Sequence, residues 1–165
     1  MRISAYGLAV DPPSGWEARI RRHPLALRPA GDGLRSHPVL HAADFALPEE
    51  RGDFGSGAVE TMKPSQAFIA LIEYDPSSAA TALFSSQVAV PLQVGAEDFS
   101  PQQLQRTIRG QAGTQRFFVD GGRAFCLYVV LGSMANRQHA APRVNAVLSA
   151  IEIGPRAAPD LAELL

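Results

Sequence analysis

The side chains that could do chemistry are few and scattered. The single cysteine, Cys126, lies between Phe125 and Leu127 in a wholly apolar run. A nucleophilic thiol needs a neighbouring base or a helix N-terminus to form its thiolate, so this position reads as core. The four histidines, His23, His37, His41 and His139, fall in none of the spacings that hold a metal ion. Only His37 and His41 are close, and an extended backbone would turn both to one face. They read as solvated or hydrogen-bonded side chains, and no metal or cofactor is expected. The glycine-rich residues 52–57 lack the Gly-Lys-Ser/Thr ending of a phosphate loop and have no helix after them to hold an anion. Ser56 lacks the Gly-x-Ser-x-Gly spacing of a nucleophile elbow, and Gly132-Ser133-Met134 lacks its closing glycine. The acidic pairs Glu49-Glu50 and Glu97-Asp98 fit a turn and the approach to a helix N-terminus. Trp16, after Pro-Pro-Ser-Gly, can anchor a strand or line a recognition surface.

The elements that must position these groups are clearer. Residues 115–131, QRFFVDGGRAFCLYVVL, read as two strands joined at Asp120-Gly121-Gly122, because two-residue hairpin turns require positive φ. The second arm, 124–131, is apolar throughout, which suits a central strand covered on both faces. Residues 3–10 read as a strand that pairs with 16–20 across the turn at 11–15, opening the sheet. Residues 21–36 read as a loop, 39–47 as a third strand and 68–74 as another central one. An alanine-rich stretch, 77–84, could form two helical turns, and 87–94 an edge strand interrupted by Pro91. Ser100-Pro101 is a helix-start signal, predicting a helix over 101–109. After a loop at 132–141, Pro142 is expected to start a second helix with Val144, Val147, Leu148 and Ile151 as its apolar stripe.

The whole-chain properties exclude some classes. At 165 residues, 46% hydrophobic and 19% charged, the chain can bury a core without disulfides or metals. A net charge of −1 gives no electrostatic reason to bind nucleic acid or an anionic membrane. No apolar run reaches the roughly 20 residues of a membrane span, and the first ten residues read as a strand. A single cysteine and no export signal lead to the expectation of a cytoplasmic protein.

The strand running into Pro13-Ser14-Gly15-Trp16-Glu17, the strand 68–74, the 99–109 helix, the RAFCLYVVLG strand and the closing helix 143–151 together resemble the PsbP-like/Mog-like superfamily, in its actinobacterial branch. The resemblance spans residues 1–154. It implies an α+β fold, an α-β-α sandwich with a mainly antiparallel central sheet, used for binding other proteins and, as a rule, not for catalysis. It supplies no catalytic residues, and the first ten residues read as a strand where many relatives have a lipoprotein or thylakoid signal.

Two functional readings stand. The first is a non-catalytic interaction or assembly module, in one domain over 1–154 with a tail at 155–165, whose partner is another protein or a second copy. Its candidate contacts are Trp16 and the tail leucines Leu161, Leu164 and Leu165, spaced at i, i+3 and i+4 after the N-cap candidate Asp160. A tail without a role is the alternative for those leucines. The second reading is a ligand-binding protein or enzyme with a cavity between sheet and helix, for which His41, Arg116 and Arg123 are the available polar groups.

Overall fold

A computed structural model describes residues 1–22, 37–84 and 92–156. Two antiparallel sheets and one α-helix organise them. The larger sheet contains β3 (Glu17–Arg22), β4 (Pro38–Ala43), β5 (Ala67–Tyr74), β6 (Ala112–Asp120) and β7 (Arg123–Leu131), in the order β3-β4-β5-β7-β6. The smaller contains β1 (Ile3–Ala5), β2 (Leu8–Val10) and β8 (Ile151–Ile153), in the order β1-β2-β8. The helix, α1, spans Arg137–Leu148.

The glycine-turned hairpin forms as its residues dictate. Gly121 and Gly122 take φ of 56° and 78°, the twist that lets β6 and β7 pair from Ala112↔Leu131 to Asp120↔Arg123. β7 lies between β5 and β6, and all nine of its residues are buried. Alternation then sorts the core. Ile69, Leu71, Phe125, Leu127 and Val129 point to one face, where Val144, Val147 and Leu148 of α1 cover them. Phe68, Ala70, Ile72, Cys126, Tyr128 and Val130 point to the other, which is covered by Leu47, Ala58, Phe54, Val59 and Leu104.

The second face therefore has no α-helix over it among the described residues, only short turns such as the 3₁₀ turn Val59–Thr61, and the coarse α+β expectation holds with less helix than the sandwich requires. The helix expected over 101–109 is one 3₁₀ turn, Pro101–Gln103. The polar groups after it serve β6 and β7 instead: Gln103 bonds Gln115 through both Oε1 and its carbonyl, and the Gln105 N–H donates to the Tyr128 hydroxyl at 2.9 Å. Residues 77–84 likewise form only short 3₁₀ turns, Pro76–Ala80 and Ala82–Phe84.

The opening strand breaks where Tyr6 and Gly7 both adopt positive φ, 54° and 76°. β1 and β2 thus fold on each other, and β2 pairs onward with β8. The expected pairing of 3–10 with 16–20 does not form: the turn at 11–15 carries the chain from the small sheet to β3, which pairs with β4. Arg21 and Arg22, expected in a loop, complete β3; residues 23–36 lie outside the described set. β4 ends at Ala43, short of the expected 47. Of the expected edge strand at 87–94, residues 87–91 lie outside the described set and 92–94 form no strand.

α1 begins earlier than the proline signal indicated and holds Pro142 inside it. The missing N–H forfeits one hydrogen bond. Burial of Ala140, Ala141, Val144, Val147 and Leu148 offsets it, and the Pro142 ring faces solvent. The helix stops at Leu148, so Ile151 belongs to β8 rather than to the helical stripe.

Candidate functional site

The three polar groups assigned to a ligand pocket do not converge. His41 faces the helix-free side of β4 and is 0% exposed. Its Nδ1 accepts from Arg51 Nε at 2.8 Å, which leaves the proton on Nε2 to donate to the Asp53 carbonyl, also at 2.8 Å. Burial is the main reason its pKa falls to about 4, with the Arg51 and Arg21 charges adding to the effect. His41 is thus a neutral core group that fixes the loop carrying Arg51 and Asp53. The glycine-rich run belongs to this loop, and its Gly55 passes so close that a Cβ there would fall 2.6 Å from the Phe68 ring. That close approach explains the glycine without any anion.

Arg123 faces the opposite side and is 2% exposed. Its Nε and Nη2 donate to the two Glu73 carboxylate oxygens at 3.0 and 2.8 Å. Nη1 donates to the Gly7 and Gly154 carbonyls at 3.1 and 2.8 Å, and Nη2 also to the Tyr6 carbonyl at 3.1 Å. Those bonds use all five guanidinium N–H groups. Arg156 adds a second cation to Glu73 at 3.1 Å. Arg123 therefore joins the small sheet to the large one and has no donor left for a ligand. Gly7 is required at this joint, because a Cβ would fall 2.3 Å from the Pro155 carbonyl oxygen.

Arg116 lies on the same face as Arg123, but beside Leu127 rather than Asp120, four positions or about 13 Å along the ladder. It bonds Asp98 at 2.7 Å and the Gln93 carbonyl. It tethers the 93–98 segment to β6. Burial pushes the Cys126 thiol up to about 12, which removes the thiolate that a nucleophile would need. Among the described residues, no cluster of His, Cys, Asp and Glu could hold a metal ion.

Trp16 is different. It is half-buried, its inner face packed on the core, and it lines an open groove of about 440 Å³ with Ser14, Gly15, Asp44, Ser65, Gln66, His139 and Arg143. Four pieces of chain build this groove. The Pro13 carbonyl accepts from the Trp16 N–H at 3.1 Å and closes the turn that presents the indole. Asp44 follows β4 directly and accepts from the Ala67 N–H at 2.9 Å, locking the start of β5 beside it. The 63–66 turn is held by the Gln66 side chain on the Lys63 N–H at 2.7 Å. The helix supplies His139 and Arg143, which at i and i+4 share one face.

Arg143 organises the groove. It pairs with Asp44, donates to the Ser65 carbonyl at 3.1 Å, and sits with its guanidinium carbon 5.9 Å from the Trp16 ring centroid, within reach of a cation–π attraction. These two hydrogen bonds leave three of its five N–H groups without a partner among the described residues. Asp44, Gln66, His139 and Arg143 were not legible as a site in the sequence. The i, i+4 spacing of His139 and Arg143 was the available signal, hidden by assigning 132–141 to a loop. The tail leucines Leu161, Leu164 and Leu165 lie outside the described residues.

No protein-family model, curated protein or solved structure matches the chain. No helix among the described residues is long and apolar enough to cross a membrane.

Proposed function

We propose that this chain is a non-catalytic interaction module that assembles with another protein, or with a second copy of itself, through the Trp16 groove. One observation carries the reading: a half-buried tryptophan and an arginine with unspent donors share an open groove fixed by two tight turns, the end of a strand and a helix. Aromatic and arginine side chains in such settings are the usual energetic centres of protein interfaces. Three of the buried groups elsewhere support it too, since His41 and Arg123 are committed to internal bonds and Cys126 is held as a thiol. Membership of the PsbP-like/Mog-like superfamily and a cytoplasmic location belong to the same proposal. The helix lying on one sheet face agrees with that fold, and the second face, without an α-helix among the described residues, departs from it.

The second reading, small-ligand binding, is favoured by a smaller cavity of about 90 Å³ on the helix-free face. It is lined by Phe54, Val59, Leu104, Gln111, Tyr128 and Val130. It falls well below the roughly 300 Å³ at which drug-sized ligand sites begin. His41, Arg116 and Arg123 do not line it. Native mass spectrometry of protein purified from its own host separates the two. Co-eluting protein subunits are expected, and a stoichiometric bound small molecule would sink the interaction reading.

A further inference from the structure

We infer that the Trp16 groove recognises a carboxylate, carried on an acidic extended segment of the partner protein; the inference rests on the interaction reading above. The groove's unspent hydrogen-bond donors, with no unpaired acid among its lining, point to this occupant. Its one acid, Asp44, is already spent: one oxygen takes the Ala67 N–H, the other takes Arg143, and the side chain is 9% exposed. The helical wall brings no other acid, because the chain has no Asp or Glu anywhere from residue 121 to 151. Nor has it any from 61 to 72, which includes the opposite wall and the exposed Lys63.

Donors outnumber acceptors in this space. Arg143 keeps three N–H groups, Gln66 keeps its amide NH₂ because its Oε1 is used on Lys63, and His139 stands exposed one turn before Arg143. A ligand that presents acceptors, with a negative charge for the guanidinium, matches this set, whereas a basic or donor-rich one leaves the Arg143 groups unmet. The arginine is pre-positioned by Asp44 and Ser65, so little side-chain entropy is lost on engaging a carboxylate. An extended strand of peptide suits the open shape, and its backbone carbonyls meet the remaining donors.

The chain carries its own reporter, since Trp16 is its single tryptophan. Full-length protein is titrated with a synthetic hexapeptide of alternating Glu and Gly, following Trp16 emission, beside matched Gln-Gly and Lys-Gly peptides. The Glu peptide is expected to change the emission with an affinity about tenfold or more above the Gln peptide. The response should weaken in high salt and be lost in Arg143→Gln. Because that variant also releases Asp44, Lys63→Gln, which breaks no internal side-chain bond, is expected to weaken the Glu peptide by a smaller factor. Equal responses to Glu and Gln peptides, or none to either, overturn the inference. If a protein partner still co-elutes in native mass spectrometry, the interaction reading survives that result; if none does, both fall.

Discussion

Two arginines on the same side of the sheet do opposite work. Arg123 is buried, and its five N–H groups are all bonded inside the protein. Arg143 is about a third exposed, holds one carboxylate and one carbonyl, and leans over a tryptophan at a groove. The difference teaches that burial and donor accounting, not residue type, separate an arginine committed to the fold from one with donors to spare. A fully satisfied guanidinium has no reason to leave its pocket, while a half-satisfied one fixed by a neighbour is ready for a ligand.

Removing the buried arginine breaks the comparison most severely. Arg123→Met strands Glu73, itself 4% exposed, with only Arg156 as a partner, and should cost about 3 to 5 kcal/mol in chemical denaturation. The double change Arg123→Met with Glu73→Gln should recover part of that loss. A cost near zero for the single variant would mean that the joint between the two sheets is not held as described.

Next in size is the helix that supports the groove. Leu148→Ala empties a position 2% exposed beneath α1 and should cost about 2 to 5 kcal/mol, whereas the exposed Ser149→Ala should be close to neutral in the same measurement. Similar small effects for both would detach the helix from the sheet.

Acid tests a second buried polar group. The His41 value falls from 6.5 to about 4 in the fold, so between those limits the unfolded chain binds a proton that the folded chain does not. Stability should therefore fall as pH drops through that window, by on the order of 3 kcal/mol in all, and His41→Gln should flatten the slope. Denaturant midpoints measured at intervals from pH 7 to pH 4 check this. An unchanged slope in the variant would show that another group drives it.

The smallest stability effect belongs to the groove. Arg143→Gln gives up an ion pair exposed only on the arginine side, leaves Asp44 its bond from the Ala67 N–H, and should cost about 1 to 2 kcal/mol, less than Arg123→Met. Its thermal melt should stay close to the parent's, in contrast to Arg123→Met.

Much of this arrangement was legible in the sequence where one local rule dominated. The β6–β7 hairpin followed from Gly121-Gly122 between apolar runs, and the burial of Cys126 from the apolar strand around it. The legible parts share strong periodicity or a forced turn geometry. What was hidden depended on long-range partners. Ser100-Pro101 carries a helix-start signal, yet Gln103 and Gln105 are drawn to Gln115 and Tyr128, and a weak local preference yields to those bonds. Pro142 suggested a helix start, but α1 accommodates it by burying one face. The break at Tyr6-Gly7 reflects the Arg123 joint, more than a hundred residues away in sequence. The groove itself was invisible for the same reason: Trp16, Asp44, Ser65 and Arg143 meet only once β3, β4, β5 and α1 are in place.

The central claim, that the Trp16 groove is where this chain meets a partner, is tested most directly by photo-crosslinking in its own host. A photoreactive amino acid is placed at Ser14, exposed on the groove wall, and for comparison at Gln102, exposed and outside the groove. The account predicts a discrete protein adduct from position 14, identified by mass spectrometry and absent from position 102. The same adducts from both positions, or none from position 14, would contradict it.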